Sequence, residues 1–231
     1  MDSLDRVLAP GQELLGRVDV TLCEYGAPSG HPVVPLIRRL GMLPGAALDC
    51  FAGLDATAAG ALTTGLRALA DQYASHRAAV DTAVGPGWHG AVADGFTQSW
   101  QALGNHLGDG AGPDEPSLAG RVLGLLGYMD DVATWMLVAR AGIGVAVARA
   151  MGSAAAVNLR LAPQPLAVGA TMSLADAAAT IGVGVLSAAE AAVIAGHEVR
   201  RRWASRLDTL PYAGPDGDVP RPAGGFGLGL P

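Results

Sequence analysis

Lysine is absent from this 231-residue chain, and charged residues make up only 16% of it. The 15 basic residues, all arginine, are outnumbered by 21 acidic residues, which gives a formal net charge of −6. Because such an acidic chain repels the phosphate backbone, we expect no nucleic-acid partner. Half of the residues are hydrophobic, so uncharged Ala, Gly and Ser must cover much of the surface. This composition predicts closely packed helices, or surfaces that a partner covers.

Cysteine is nearly absent as well, since the chain contains only Cys23 and Cys50. Two cysteines without a Cys-x-x-Cys spacing make neither a disulfide scaffold nor a zinc site. We therefore expect both to be small buried apolar residues. The first five residues, Met-Asp-Ser-Leu-Asp, contain no basic region followed by a long apolar run. This start predicts no cleaved signal peptide, which leaves the cytoplasm or an export route that needs none.

Motifs for catalysis, cofactors and metals are also missing from the sequence. The histidines show no ligand spacing with a second metal-binding residue, and no catalytic triad or phosphate loop is recognisable. Gly142-Ile-Gly144 resembles the start of a dinucleotide fingerprint, but Val147 occupies the third glycine position and no strand precedes it. We expect no catalytic, cofactor or metal site, and a protein that is not an enzyme.

Helical periodicity on both sides of Gly85-Pro86-Gly87 organises the chain. Apolar residues recur there mostly in steps of three and four, which predicts amphipathic helices over residues 46–84 and 88–107. Gly85 suits the left-handed position that ends a helix, and Pro86 cannot continue one. The pattern therefore predicts a helical hairpin with a tight turn, in which the ring of Trp88 packs against the end of the first helix.

This hairpin resembles a known protein family. Trp88-His89-Gly90 at the turn, followed by Phe96 and Trp100 as packing residues, is similar to the Trp-x-Gly (WXG) family of small helical hairpins. The resemblance covers about residues 46–107. It implies export by type VII (ESX) secretion in actinobacteria and related bacteria. The turn residues Trp88, His89 and Gly90 would then form the recognition motif.

Helical spacing returns in the second half of the chain and predicts two further helices, one from Ser117 and one from near Ser173. If these two helices form an antiparallel hairpin, Arg149 lies level with Asp176. Arg140 then falls within about one turn of Glu190 on the facing helix. The sequence thus predicts interhelical ion pairs inside the bundle among Arg149, Asp176, Arg140 and Glu190.

Together these patterns predict an all-α protein, an elongated four-helix bundle made of two consecutive hairpins. Its four parts are an N-terminal helical extension, the Trp-x-Gly hairpin, a second hydrophobic hairpin and a disordered tail rich in Pro and Gly, over residues 1–45, 46–107, 117–207 and 208–231. The extension is either a cap over one end of the hairpin or an arm that binds a partner.

The tail contains one motif that the family resemblance makes relevant. Tyr212-Ala-Gly-Pro-Asp216 has the form Tyr-x-x-x-Asp of the family's export signal. In the family this signal lies on a short helical continuation, which Gly214-Pro215 would break. The motif is therefore either an export signal or a chance match. A real signal would require the turn of a second molecule beside the tail, which predicts an antiparallel dimer.

The functional prediction is a type VII secretion substrate or partner protein that acts by helix–helix recognition. Its partners would be itself or a small Trp-x-Gly protein, together with the secretion machinery, and it would pass from the cytoplasm to the cell envelope or exterior. The alternatives are a membrane-active or pore-forming protein that uses helices 118–157 and 173–207, and the dimerisation trunk of an effector or toxin. Against the membrane stand Arg140, Arg149 and Glu190, since one central carboxylate costs about 2.5–3.5 kcal/mol on insertion scales.

Overall fold

The chain is all-α. The computed structural model describes residues 3–83, 89–161, 168–204 and residue 206, and all the regular secondary structure in these residues is helical. The helices are α1 (Ser3–Tyr25), α2 (Val33–Leu40), α3 (Pro44–Ala52), α4 (Ala56–Ala83), α5 (Ala91–Leu107), α6 (Leu118–Met151), α7 (Ala154–Leu161) and α8 (Val168–Ala204). The fold class is therefore confirmed, while the tail expected to be disordered lies outside the described residues.

The single long helix expected over residues 46–84 is wrong, because the chain forms α3 and α4 there instead. Gly53 follows the last residue of α3, and its N–H donates back to the carbonyl of Asp49. Asp55 then begins α4, since its Oδ1 accepts the N–H groups of Thr57 and Ala58 at 2.9 and 3.1 Å. A glycine followed two residues later by a capping aspartate ends one helix and starts another.

The second half of the chain also breaks earlier than expected, since the sequence predicted one helix over residues 118–157. The start at Ser117 is confirmed, since its Oγ accepts the N–H of Gly120 at 3.0 Å. The helix then ends at Met151, and Ser153 caps α7 by accepting the N–H of Ala156 at 3.2 Å. Ser173, expected to begin a helix, lies inside α8.

The chain divides into two compact units, and each unit consists of two separate stretches of the sequence. The first unit comprises Met1–Gly60 and Asp130–Arg201, and the second comprises Ala61–Met129 and Arg202–Pro231. The N-terminal helices thus belong with the C-terminal two thirds of α6 and nearly all of α8.

The core of the first unit forms around α8. Its buried residues on α8 are mostly small: Leu174, Ala177, Ala178, Ala179, Ile181, Val185, Leu186, Ala189 and Ala192. Small residues let neighbouring helices approach closely. Beside α8, the indole of Trp135 on α6 donates to the carbonyl of Ala192 at 2.8 Å and lies against Gly196.

The N-terminal helices supply large apolar side chains to this core. Leu4, Leu14, Leu15 and Val18 of α1 are among the most buried residues of the chain, together with Val33 of α2 and Leu48 of α3. The backbone of Leu4 lies so close to Gly144 of α6 that an added Cβ there would come within 3.0 Å of the Leu4 nitrogen. These helices are therefore part of the core, which the sequence left open.

Candidate recognition hairpin and buried charges

Helices α4 and α5 form the hairpin on which the family resemblance rests. The indole nitrogen of Trp100 on α5 donates to the carbonyl of Val80 on α4 at 2.6 Å. Nearby, Arg77 of α4 donates to the side-chain oxygen of Asn105 of α5 at 3.0 Å. Gly104 leaves room for this arginine, since a Cβ there would meet its Nε at 3.0 Å. The pairing order is antiparallel, because residue 77 meets residue 105 and residue 80 meets residue 100.

The turn itself is described only from His89 onward, so Trp88 lies outside the described residues. His89 and Gly90 are exposed. Gly90 has φ 110° and ψ 168°, a conformation that only glycine adopts readily, and its carbonyl accepts the N–H of Asp94 at 2.9 Å. An added Cβ at Gly90 would meet nothing within 4 Å. The glycine of the Trp-x-Gly motif is thus required for backbone conformation and not for close packing.

The apolar stripe of α5 lies partly on the surface. Phe96 and Trp100, both on α5, stack with their ring centroids 5.3 Å apart and their planes 18° from parallel. Phe96 is nevertheless exposed, and Val92, one turn earlier, has 85% of its surface accessible. The buried residues that α4 and α5 contribute in the second unit are small or modest in size: Ala70, Val80, Ala93 and Gly104. The hairpin therefore leaves part of its apolar stripe uncovered.

The ion pairs expected between α6 and α8 are wrong in their partners. Arg140 on α6 bonds through Nη2 to Asp5 of α1 at 2.6 Å. Glu190 on α8 instead bonds to Arg39 of α2, at 2.6 and 3.1 Å. This pairing lowers the pKa of Glu190. The partners of Arg140 and Glu190 thus come from the N-terminal helices α1 and α2, whereas the sequence predicted that the two residues pair with each other across α6 and α8.

The other expected pair lies in water. Arg149 and Asp176 are both exposed, so neither needs a buried partner.

The two cysteines are also exposed and free, contrary to the expectation that they are buried. The sequence does not show which face of a mostly apolar helix is buried. The exposure of a single cysteine or arginine on such a helix therefore cannot be predicted from the sequence.

Arg140 does more than form an ion pair. Its Nη1 lies 3.3, 2.6 and 3.2 Å from the carbonyl oxygens of Phe51, Ala52 and Leu54, at the C-terminal end of α3. The last carbonyls of a helix lack partners within the helix and carry a partial negative charge. The guanidinium therefore caps α3 from a distant helix, a role that no local sequence signal predicts.

Asp19 caps the other end of α3. Both of its carboxylate oxygens lie 3.1 Å from the N–H of Gly45, near the first residue of the helix. Burial raises the pKa of Asp19 above its usual value, the bond from Gly45 opposes that shift, and the nearby charge of Asp49 adds to it. Gln12 of α1 binds Asp49 at 2.8 Å, so two polar contacts join α1 to α3.

Among the described residues, no group of three or more His, Cys, Asp or Glu side chains could hold a metal ion. The proposed signal residues Tyr212 and Asp216 lie outside the described part of the chain. Compared with protein-family models, curated proteins and solved structures, the chain matches none.

Proposed function

We propose that the protein is a type VII secretion substrate or partner protein that acts by helix–helix recognition through the α4–α5 hairpin. The observation that carries this proposal is the uncovered stripe of α5, where Val92 is 85% exposed one turn before Phe96. An apolar stripe that a hairpin leaves in water is typical of a surface that binds another helix.

The rest of the proposal follows from the resemblance. Trp88 and Gly90 would present the hairpin end to the secretion machinery, and Tyr212 with Asp216 would complete the export signal. In the four-helix bundle that the sequence predicts, the turn and the tail motif lie at opposite ends, so the exported species would be an antiparallel dimer with itself or with a smaller Trp-x-Gly protein. Its destination is the cell envelope or the exterior, without a cleaved signal peptide.

The binding step is tested by light scattering on the purified full-length chain. The wild type should be dimeric alone or after co-expression with a small Trp-x-Gly protein. Val92→Glu should weaken the complex at least 10-fold, because burying a carboxylate in an apolar contact is costly. Gln98→Glu is the matched control, since it adds the same charge at an exposed position of the same helix. Equal effects of both substitutions would argue against the α5 stripe as the interface.

The export step is tested in an actinobacterial host with a working type VII system and in one whose secretion motor is inactivated. The protein should reach the culture medium or envelope only in the first host. Trp88→Ala and Tyr212→Ala should each reduce export while circular dichroism shows unchanged helix content. If the protein is a monomer at high concentration and Tyr212→Ala is exported normally, the composite signal does not exist.

A further inference from the structure

One side of the first unit exposes an uncharged surface along two neighbouring helices. Between residues 134 and 148 of α6, and between 180 and 195 of α8, every exposed residue is uncharged. We call this surface the α6–α8 face and define it by its central residues, which are Val138, Gly142 and Val145 on α6 with Gly184, Ala191 and Ile194 on α8.

Both helices are apolar and long enough to cross a membrane, yet they are only partly buried. In the most apolar stretch of 18 residues of each helix, 28% of the stretch is buried in α6 and 50% in α8. A core helix of a water-soluble protein that reaches this hydropathy is normally mostly buried. Packing within the protein therefore buries only part of the apolar surface of α6 and α8, and the rest stays exposed.

Of the three charges that argued against a membrane, Arg140 and Glu190 do not lie on this face, and Arg149 lies at one end of it. Arg140 is buried and directed to Asp5 and to the carbonyls that end α3. Glu190 is held by Arg39 of α2. Each charge within the two apolar stretches is thus neutralised by helices α1–α3, which leaves the α6–α8 face free of charge.

The face also contains a groove of about 310 Å³ between the two helices. Its walls include Val145, Gly184 and Ala188, and Arg149 and Ser153 lie at one end. Arg149 is exposed there, and exposed Arg200 follows the opposite end of the face on α8, where Arg201 is paired with Glu198 at 2.8 Å. Arginines that border an apolar face complement the phosphates of lipid headgroups, while the face itself complements the hydrocarbon below them.

From these observations we infer that the α6–α8 face binds the surface of a lipid bilayer, with helices α1–α3 on the side that faces water. The helices would lie in the interface and not span it, because Arg140 and Glu190 keep their partners in α1–α3. This interaction is independent of the hairpin, which uses other residues of the chain.

The experiment is flotation of the full-length protein with phosphatidylcholine vesicles, with and without phosphatidylglycerol. The wild type should float with both kinds of vesicle and remain bound at high salt, because apolar contact supplies most of the attraction. The double variant Val138→Glu/Val145→Glu should lower the partition coefficient at least about 10-fold, since both carboxylates would enter the apolar layer.

The matched control is Val20→Glu on α1. Val20 is 56% exposed, between the 67% of Val138 and the 47% of Val145, but it lies outside the α6–α8 face. This variant should bind vesicles like the wild type. Unchanged helix content and thermal stability would show that each variant is folded, and a double variant that fails this check is replaced by Gly184→Glu, where an added Cβ meets nothing within 4 Å.

Three results would overturn the inference. The first is wild-type protein that stays with the unbound fraction in both vesicle preparations. The second is wild-type protein that does not bind vesicles but is a dimer in light scattering, with a double variant that is a monomer. The α6–α8 face would then bind a second copy of the chain. Loss of binding in Val92→Glu but not in the double variant would likewise contradict it, since the hairpin would then make the contact.

Discussion

Replacing Arg140 by alanine tests how the first unit is held together. The guanidinium joins three elements, because it lies on α6, binds Asp5 of α1 and donates to carbonyl oxygens at the end of α3, that of Ala52 at 2.6 Å and that of Leu54 at 3.2 Å. Arg140→Ala removes all of these contacts at once and leaves the carbonyl oxygens without their cationic donor.

The magnitude follows from the exposure of each partner. The side chain of Asp5 is 37% exposed, so water screens the ion pair and its loss costs only about 0–1 kcal/mol. A buried acceptor that loses its donor costs about 1–3 kcal/mol, but Phe51 keeps another donor, the N–H of Leu54. Counting Ala52 and Leu54 at the lower part of that range, the first unit should lose about 2–4 kcal/mol.

Thermal and urea unfolding followed by circular dichroism measure this loss. For a chain of this size about 1 kcal/mol lowers Tm by roughly 2–4 °C, so Arg140→Ala should lower it by about 5–15 °C. Arg149→Ala on the same helix is the control and should change the free energy of unfolding by less than about 0.5 kcal/mol, because Arg149 is exposed. Equal melting temperatures for the two variants would refute the capping role of Arg140.

Two further predictions concern packing and pH. Gly144→Ala should destabilise the first unit by about 1–3 kcal/mol, because its Cβ would press on the backbone of Leu4. Gly142→Ala has open space around it and should stabilise α6 by up to about 1 kcal/mol. Urea unfolding measures both changes, and equal free energies of unfolding for the two variants would contradict the close approach of Leu4 to Gly144. The raised pKa of Asp19 means that the folded state takes up a proton more readily than the unfolded state. Relative to Asp19→Asn, the wild type should therefore gain stability as the pH falls from neutral toward 3.8. If the stability of both proteins depends on pH in the same way, burial and Asp49 do not raise the pKa of Asp19.

The helices themselves were largely predictable, and their breaks were not. The three-and-four spacing of apolar residues located α5 and the start of α6, where Ser117 is a capping residue that sequence reasoning recognises. The break at Gly53 and Asp55 was missed because the apolar stripe continues across it. The turn at Ser153 was missed for the same reason, since a capping serine in an Ala-rich stretch stands out little from the helix around it.

The candidate hairpin was predictable to a similar extent. Trp100 does pack across it, through its indole N–H and the carbonyl of Val80. Gly90 was expected as part of the recognition motif, and its positive φ adds that the backbone conformation at this position requires a glycine. The exposure of Val92 could not be predicted, because periodicity reveals that a stripe exists but not whether a neighbour covers it.

The sequence by itself determined the all-α class, the helical hairpin and the shortage of charge, because these depend on composition and on spacing along a single helix. Only the tertiary structure decided which charges meet. Arg140 and Asp5 are 135 residues apart, and Arg39 and Glu190 are 151 apart. Contacts over such separations depend on which faces α1–α3 bury against α6 and α8, and one helical period is compatible with many such choices.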